Sequence, residues 1–289
     1  MATQPATLER GLIAVRLPDS GLRQDVRAVK IVWHRELIRF WRDRRRIVTS
    51  LLQPVLFLFV LGTGLSSIAS TGSVNLRTFI FPGALGMAVL FTAVFSAASI
   101  VWDREFGFLR EMLVAPVRRG AIVFGKCLGG ATVATFQGLV MLCLAGVVNV
   151  PYSPVLIITL IGELLLLAFT LTAFGVMAAA RIQQVQSFMS LFQMFLMPLF
   201  FLSGSLFPLT NLPSWLAVLN RLDPLTYAID PMRRAVFSHL NLTSATRHRL
   251  VPGVTWWGWH VPTGVELAVV ALMGLAMLAI GIARFSRPE

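Results

Sequence analysis

Charge is what this sequence has least of: 13% of its 289 residues are Asp, Glu, Lys or Arg, against 56% hydrophobic residues and a mean hydropathy of +0.76. So little polar surface cannot dress a water-soluble globule, and most of the chain must be solvated by lipid. Acidic residues are the scarcer sign, 13 against 25 basic, for a net charge of +12. Such a balance can signal nucleic acid, but the basic residues lie between apolar stretches, where they fix orientation and touch membrane lipid, so no nucleic-acid partner is expected. Cysteine is nearly absent. Cys127 and Cys143 fall in one apolar stretch, about four and a half helical turns apart, too far to bridge if that stretch is one helix. Histidine is sparse and scattered, at 34, 239, 248 and 260. No metal-ligand or nucleophile–base spacing appears, so no catalytic residue, metal site or cofactor in this chain is expected.

A signal-peptide core is also missing. The first 46 residues carry 11 Lys or Arg and no long apolar run, so they are expected to stay in the mature protein on the cytoplasmic side. Residues 1–22 read as a flexible tail. Over 23–46, Val26, Val29, Trp33, Leu37, Phe40 and Trp41 recur at helical spacing, with Arg27, Arg35, Arg39 and Arg42 between them. This predicts an amphipathic helix with Trp33, Arg35, Leu37 and Trp41 at the headgroup level; docking on a partner protein is the alternative.

Six apolar stretches follow, near 47–70, 79–102, 121–148, 155–180, 187–207 and 263–283, each long enough to cross a bilayer. The expected fold is therefore an all-α polytopic membrane protein with one six-span domain over 47–289. Of the 25 basic residues, 19 lie in the N-terminal region, the 103–126 loop, the turn at Arg181 and the C-terminal tail. The positive-inside rule puts both termini in the cytoplasm, as an even number of spans requires.

Two loops are more than connectors. In Asp103-Arg104-Glu105-Phe106-Gly107-Phe108-Leu109-Arg110-Glu111-Met112-Leu113-Val114-Ala115-Pro116, the residues Phe106, Leu109 and Leu113 keep helical spacing. Asp103 and Glu105 suit a helix N-terminus, and Pro116 stops the helix. This predicts a short helix over 103–115 that docks on a protein, or else a lipid-facing turn. The long loop before the last span reads as two external helices over about 212–237, split at Asp223-Pro224, that dip back towards the membrane. Trp256, Trp257 and Trp259 supply an aromatic belt. The sequon Asn241-Leu242-Thr243 lies on the outer side.

Asp103-Arg104-Glu105-Phe106-Gly107 running into Leu113-Val114-Ala115-Pro116, together with Leu222-Asp223-Pro224-Leu225-Thr226-Tyr227-Ala228, resembles the signatures of type-2 ABC exporter permeases. The likeness covers nearly the whole chain and is closest to daunorubicin-resistance-type and nodulation-factor-exporter permeases. It implies that two permeases pair, as a homodimer or with a paralogue, and that residues 103–115 form a coupling helix seated in a separate ABC ATPase subunit. ATP and Mg2+ would be bound by that subunit, and the helix at 23–46 would touch it too. The substrate, amphipathic, lipid-like or drug-like, would leave along faces of the first, second and fifth spans. The chain would then be an efflux permease of the plasma membrane, in a bacterial host the cytoplasmic membrane. The stretch from Asn241 to His260 is longer than the family pattern.

Gly120-Ala121-Ile122-Val123-Phe124-Gly125-Lys126-Cys127 nearly spells a P-loop, but Cys127 stands where Ser or Thr must hold magnesium, and a membrane helix starts where a strand should precede. Gly125 and Gly129 make a small-xxx-small pair. Glu163 is the one acidic residue near the middle of a span. It reads as a proton or cation site, or as a group bonded to a neighbouring span or snorkelling outwards. An ion-coupled secondary transporter using Glu163 is the rival to the exporter.

Overall fold

The computed structural model describes residues 21–64, 76–108, 117–207, 213–240, 243, 246, 250–256 and 259–286. The predicted span boundaries at 65–70, the segment 109–116, Trp257 and the Asn241-Leu242 pair of the sequon lie outside these. Among the described residues, six helices are long and apolar enough to cross a membrane: α2 (Arg44–Gly64), α3 (Leu76–Glu105), α4 (Arg119–Leu142), α5 (Pro154–Ala179), α6 (Val185–Leu202) and α9 (Thr263–Ser286). Helix α1 (Leu22–Arg42) precedes them, and α7 (Ser214–Leu222) and α8 (Pro224–Ser238) stand before the last. A two-residue pair of strands, Thr255–Trp256 with Trp259–His260, is the sheet among the described residues. The chain is an all-α polytopic membrane protein.

Helix ends follow local chemistry. The amphipathic helix stops at Arg42 instead of running to Arg46, because Asp43 caps the next one: its side chain accepts the Arg46 amide at 3.1 Å. Arg44, Arg45 and Arg46 thus form the first turn of the first span. Within that span Pro54 has no N–H to donate, and just beyond it the ladder widens to π spacing over Phe57–Leu61. The third span ends at Leu142, short of the expected Val148, as a 3-10 turn over Ala145–Val148 leads into Asn149 at φ 60. Asn tolerates that left-handed geometry, which ends a helix.

Helix α3 is the axis of the bundle, with every residue from Thr78 to Leu90 buried. It packs against α4, α5, α6 and α8, while α9 lies along α5. Lipid is as apolar as leucine, so hydrophobic transfer cannot hold spans together, and close van der Waals contact must. Small residues allow it: a Cβ added at Gly175 would fall 2.5 Å from Ala97 Cβ, and one at Gly130 2.6 Å from Thr172 Cγ2. The outward faces are apolar and uncovered, as at Leu52, Val60, Met194, Phe201, Leu272 and Leu275. Helix α8 is embedded, with Leu225 to Arg233 all buried against α3, α5 and α9.

Helix α1 does not lie free on lipid. It runs beside α4 in the same direction, from the Asp25–Arg118 ion pair (3.4 Å) to Phe40 against Phe136 (6.1 Å). Gly125 and Gly129 are the seat: added Cβ atoms would come within 3.0 Å of Val32 Cβ and 2.7 Å of Glu36 Cβ. The small-xxx-small pair therefore receives a helix of its own chain.

Candidate functional site

At the basic end of the bundle, the last turn of α3 carries Asp103, Arg104 and Glu105, and each grips a different element. Asp103 Oδ2 accepts from Arg35 Nη2 at 2.6 Å and from Lys126 Nζ, and Arg39 Nη1 stands 3.7 Å from its Oδ1. Lys126 also donates to Glu36 Oε1 at 3.0 Å and Ser99 Oγ at 3.3 Å. The Lys126 and Glu36 side chains are 3% and 4% exposed. Lys126, Glu36 and Asp103 have lost most of their water, so these buried charges persist only because each is paired, with Arg35 and Arg39 reaching Asp103 from the exposed side.

Arg104 reaches the end of α5, donating to the carbonyls of Ala179 (3.0 Å), Ile182 (2.8 Å) and Ala180 (3.2 Å). The last carbonyls of a helix lack partners and carry its negative pole, which a guanidinium suits. Glu105 serves the opposite pole of the next span: its Oε2 accepts the Val185 amide at 2.8 Å, where Gln184 offers no side-chain cap. Three consecutive side chains thereby tie α3 to α1 and α4, to α5 and to α6. The helix expected to start at Asp103 does not: Asp103 to Glu105 close α3, and Gly107, at φ +83, ends it. The carboxylates serve tertiary partners instead of a helix N-terminus. Phe106 and Phe108 are exposed beyond the turn.

Next to this junction a cleft of about 790 Å³ opens between α2, α3 and α6. Arg39, Asp43, Arg45 and Arg46 stand at one end, and Phe91, Phe192, Leu196 and Met197 line the other.

At the opposite end, Asp223 caps α8 by accepting the Leu225 amide (2.9 Å) and the Thr226 hydroxyl (3.2 Å), and Pro224 opens the helix. Tyr227 Oη donates to the Arg221 carbonyl (2.8 Å) and accepts from Trp256 Nε1 (3.0 Å). Arg234 Nη2 lies 2.6 Å from Asp230 Oδ2 and 3.0 Å from Glu266 Oε1. Glu163 is buried, so it does not snorkel, and its Oε2 has no hydrogen-bond partner among the described residues. Burial raises the Asp223 carboxyl to about 7 from an ordinary 3.8, against the pull of its hydrogen bonds. The folded chain then keeps a proton that the unfolded chain releases, so the contribution of Asp223 to stability is lost as pH rises towards 7. Corrected for intrinsic rates, α8 amides are expected to exchange faster at pH 8 than at pH 5, and Asp223→Asn to remove the difference. A wild-type profile flat in pH would contradict this.

The profile of the ABC-2 type transporter family matches residues 27–237. The chain belongs to this family. It is 31% identical over 212 residues to the putative transport permease ycf38 of Cyanophora paradoxa, covering 71% of this chain and 72% of the relative. It is 28% identical over 216 residues to nodulation protein J of Rhizobium leguminosarum bv. trifolii, covering 72% and 80%. With the probable multidrug ABC transporter permease YbhR of Escherichia coli it shares 27% identity over 168 residues, 55% of this chain and 43% of that one. The chain is thus a membrane permease subunit of an ABC transporter.

Of the residues singled out in the permease sequence, Arg35, Asp103, Arg104 and Glu105 meet at one junction. Trp33 joins it from the side, donating to Thr132 Oγ1 at 3.1 Å, while Leu37 is half-buried and Trp41 exposed. Leu109, Leu113 and Pro116 lie outside the described residues. Asp223, Pro224 and Tyr227 sit at the far end with no contact to the junction, as does Glu163. Lys126 and Glu36 were missed. A lone lysine in an apolar stretch requires a counter-charge, which was the available signal. The near P-loop is the opening of α4, and its lysine is spent on Asp103 and Glu36.

Proposed function

We propose that this permease is the membrane half of an ATP-driven exporter for an amphipathic, lipid-like or drug-like substrate, powered by a separate ABC ATPase that binds the ATP and Mg2+. The basic end faces the cytoplasm, in a bacterial host from the cytoplasmic membrane, and a second permease, identical or a paralogue, completes the path. One observation carries this reading: Asp103, Arg104 and Glu105 grip three elements from consecutive positions. A push delivered to the segment that follows Gly107 is therefore distributed at once to α1, α4, α5 and α6. A loop with no mechanical task would not need its root bound so widely. The name of one relative, a probable multidrug ABC transporter permease, agrees with small-molecule export.

The test begins with a mild-detergent pull-down of the tagged chain from its host. A stoichiometric nucleotide-binding subunit is the expected companion. Recovery of none, even after cross-linking, would favour ion-driven transport through Glu163. In the reconstituted complex, Glu105→Arg sets a cation against the positive pole of α6. It should leave insertion intact and abolish substrate-stimulated ATP hydrolysis, and unchanged stimulation would refute the coupling role of 103–115.

A further inference from the structure

The cleft between α2, α3 and α6 has a chemical polarity that names its ligand more closely than the export reading does. Of the basic groups at its head, Arg39 leans on Asp103 at 3.7 Å. Arg46 is different. Its side chain is half-buried and makes no ion pair among the described residues; its guanidinium lies 5.8 Å from the centre of the Phe95 ring. Asp43, the acidic member of the lining, spends its carboxylate on the Arg46 backbone amide. Three guanidinium groups thus face one carboxylate at the head of the cleft.

Depth matters as much as sign. Arg46 stands beside Phe95, ten residues before the end of α3 at Glu105, which at 1.5 Å per residue places it about 15 Å in from the helix end. That is headgroup level or deeper, and a half-buried cation there with no direct ion pair among the described residues, attracted by Asp43 and Glu36 only at a distance and repelled by Arg39, is stabilised by an anion supplied from outside. Past Arg46 the wall turns apolar, through Phe91 and Phe192 to Leu196 and Met197. Met and Phe adapt to an alkyl chain or a ring without demanding a fixed shape. A cleft of about 790 Å³ falls in the range of small-molecule sites, roughly 300–1,000 Å³.

We infer that this cleft binds an amphiphile with an anionic, phosphate- or carboxylate-type head drawn from the cytoplasmic leaflet, with Arg46 anchoring the head and the Phe91–Met197 wall taking the tail. The inference rests on the proposed orientation and export function, and it specifies the substrate class: cationic amphiphiles are disfavoured by the same guanidinium groups.

Trp102 lines the cleft and is 43% exposed, so it reports occupancy. The purified permease, in nanodiscs of phosphatidylcholine alone, is titrated with a doxyl-labelled alkyl phosphate and with the alkyl trimethylammonium of equal chain length. The cleft signal is the quenching lost in Trp102→Phe. The phosphate is expected to bind at least about tenfold more tightly than the ammonium, and Arg46→Gln to remove about that factor, as for a charge-assisted bidentate contact. Arg46→Lys should keep the preference for phosphate. Arg44→Gln, exposed and outside the cleft, should bind as wild type. Equal quenching by both probes, or equal weakening by Arg44→Gln and Arg46→Gln, would overturn the inference, the second by reducing it to general surface charge. Because this binding needs no ATPase, it is separable from the export reading. A complex that exports yet binds no alkyl phosphate loses only the inference, whereas one that binds it while its ATP hydrolysis stays indifferent to every amphiphile tested loses the export reading.

Discussion

Lys126→Met is expected to destabilise the folded permease by about 3–5 kcal/mol, because it removes the buried cation that two buried carboxylates share. Methionine fits the space and is at home in a membrane helix, so the loss is electrostatic. Glu36 loses its hydrogen-bonded cation outright, with Arg35 Nη2 left 3.6 Å away, while Asp103 retains the 2.6 Å bond from Arg35. That asymmetry makes the experiment diagnostic. Adding Glu36→Gln to Lys126→Met removes the worse-off charge and should restore a large part of the lost thermal midpoint in mild detergent. If Lys126→Met melts like the wild type, the cluster is not buried as described. If the double variant is as poor as the single, the damage is packing.

Gly107→Val is expected to lower substrate-stimulated ATP hydrolysis of the assembled transporter about tenfold, equivalent to ~1.4 kcal/mol, while Gly107→Asn stays near wild type. A Cβ at Gly107 would meet nothing within 4 Å among the described residues, so neither variant clashes with any of them. What separates them is φ, which is +83. A left-handed residue costs about 1–2 kcal/mol when it carries an ordinary side chain. Asn bears this better than most, and a β-branched residue worst. Valine relieves the strain by moving the turn, which re-aims the exposed Phe106 and Phe108 that leave it. Both variants should insert and purify alike, since the turn lies beyond the last buried residues of α3. Normal stimulation in the valine variant would mean that the aim of this turn is not what couples the subunits.

The junction was half legible. Asp103, Arg104 and Glu105 were visible as a run of charge leaving an apolar span, but the run suggested the start of a helix because acidic residues favour N-termini. In the folded chain the second span simply continues to Glu105, and each charge is accounted for by an element far away in sequence. In sequence Lys126 stands only in a near P-loop, with no partner in reach. Its partners, Glu36 and Asp103, are 90 and 23 residues distant. At the other end, Asp223-Pro224 marked a break between two helices by local chemistry, and in the folded chain Asp223 caps the second of them. The Asp230–Arg234–Glu266 cluster was not foreseen: Asp230 and Arg234 are one turn apart on α8, but Glu266 belongs to α9, whose approach no periodicity encodes.

Composition and hydropathy determined by themselves that lipid is the solvent, that six segments are fit to cross it, and that basic residues gather at one end. Each of these depends on the transfer free energy of a segment considered alone. Only the tertiary structure decided which charge answers which, that α1 is seated on Gly125 and Gly129, and that Arg46, without an ion pair among the described residues, heads a cleft between the first, second and fifth spans. Those outcomes depend on how closely helices approach, which small residues and desolvated ion pairs set between positions remote in the chain.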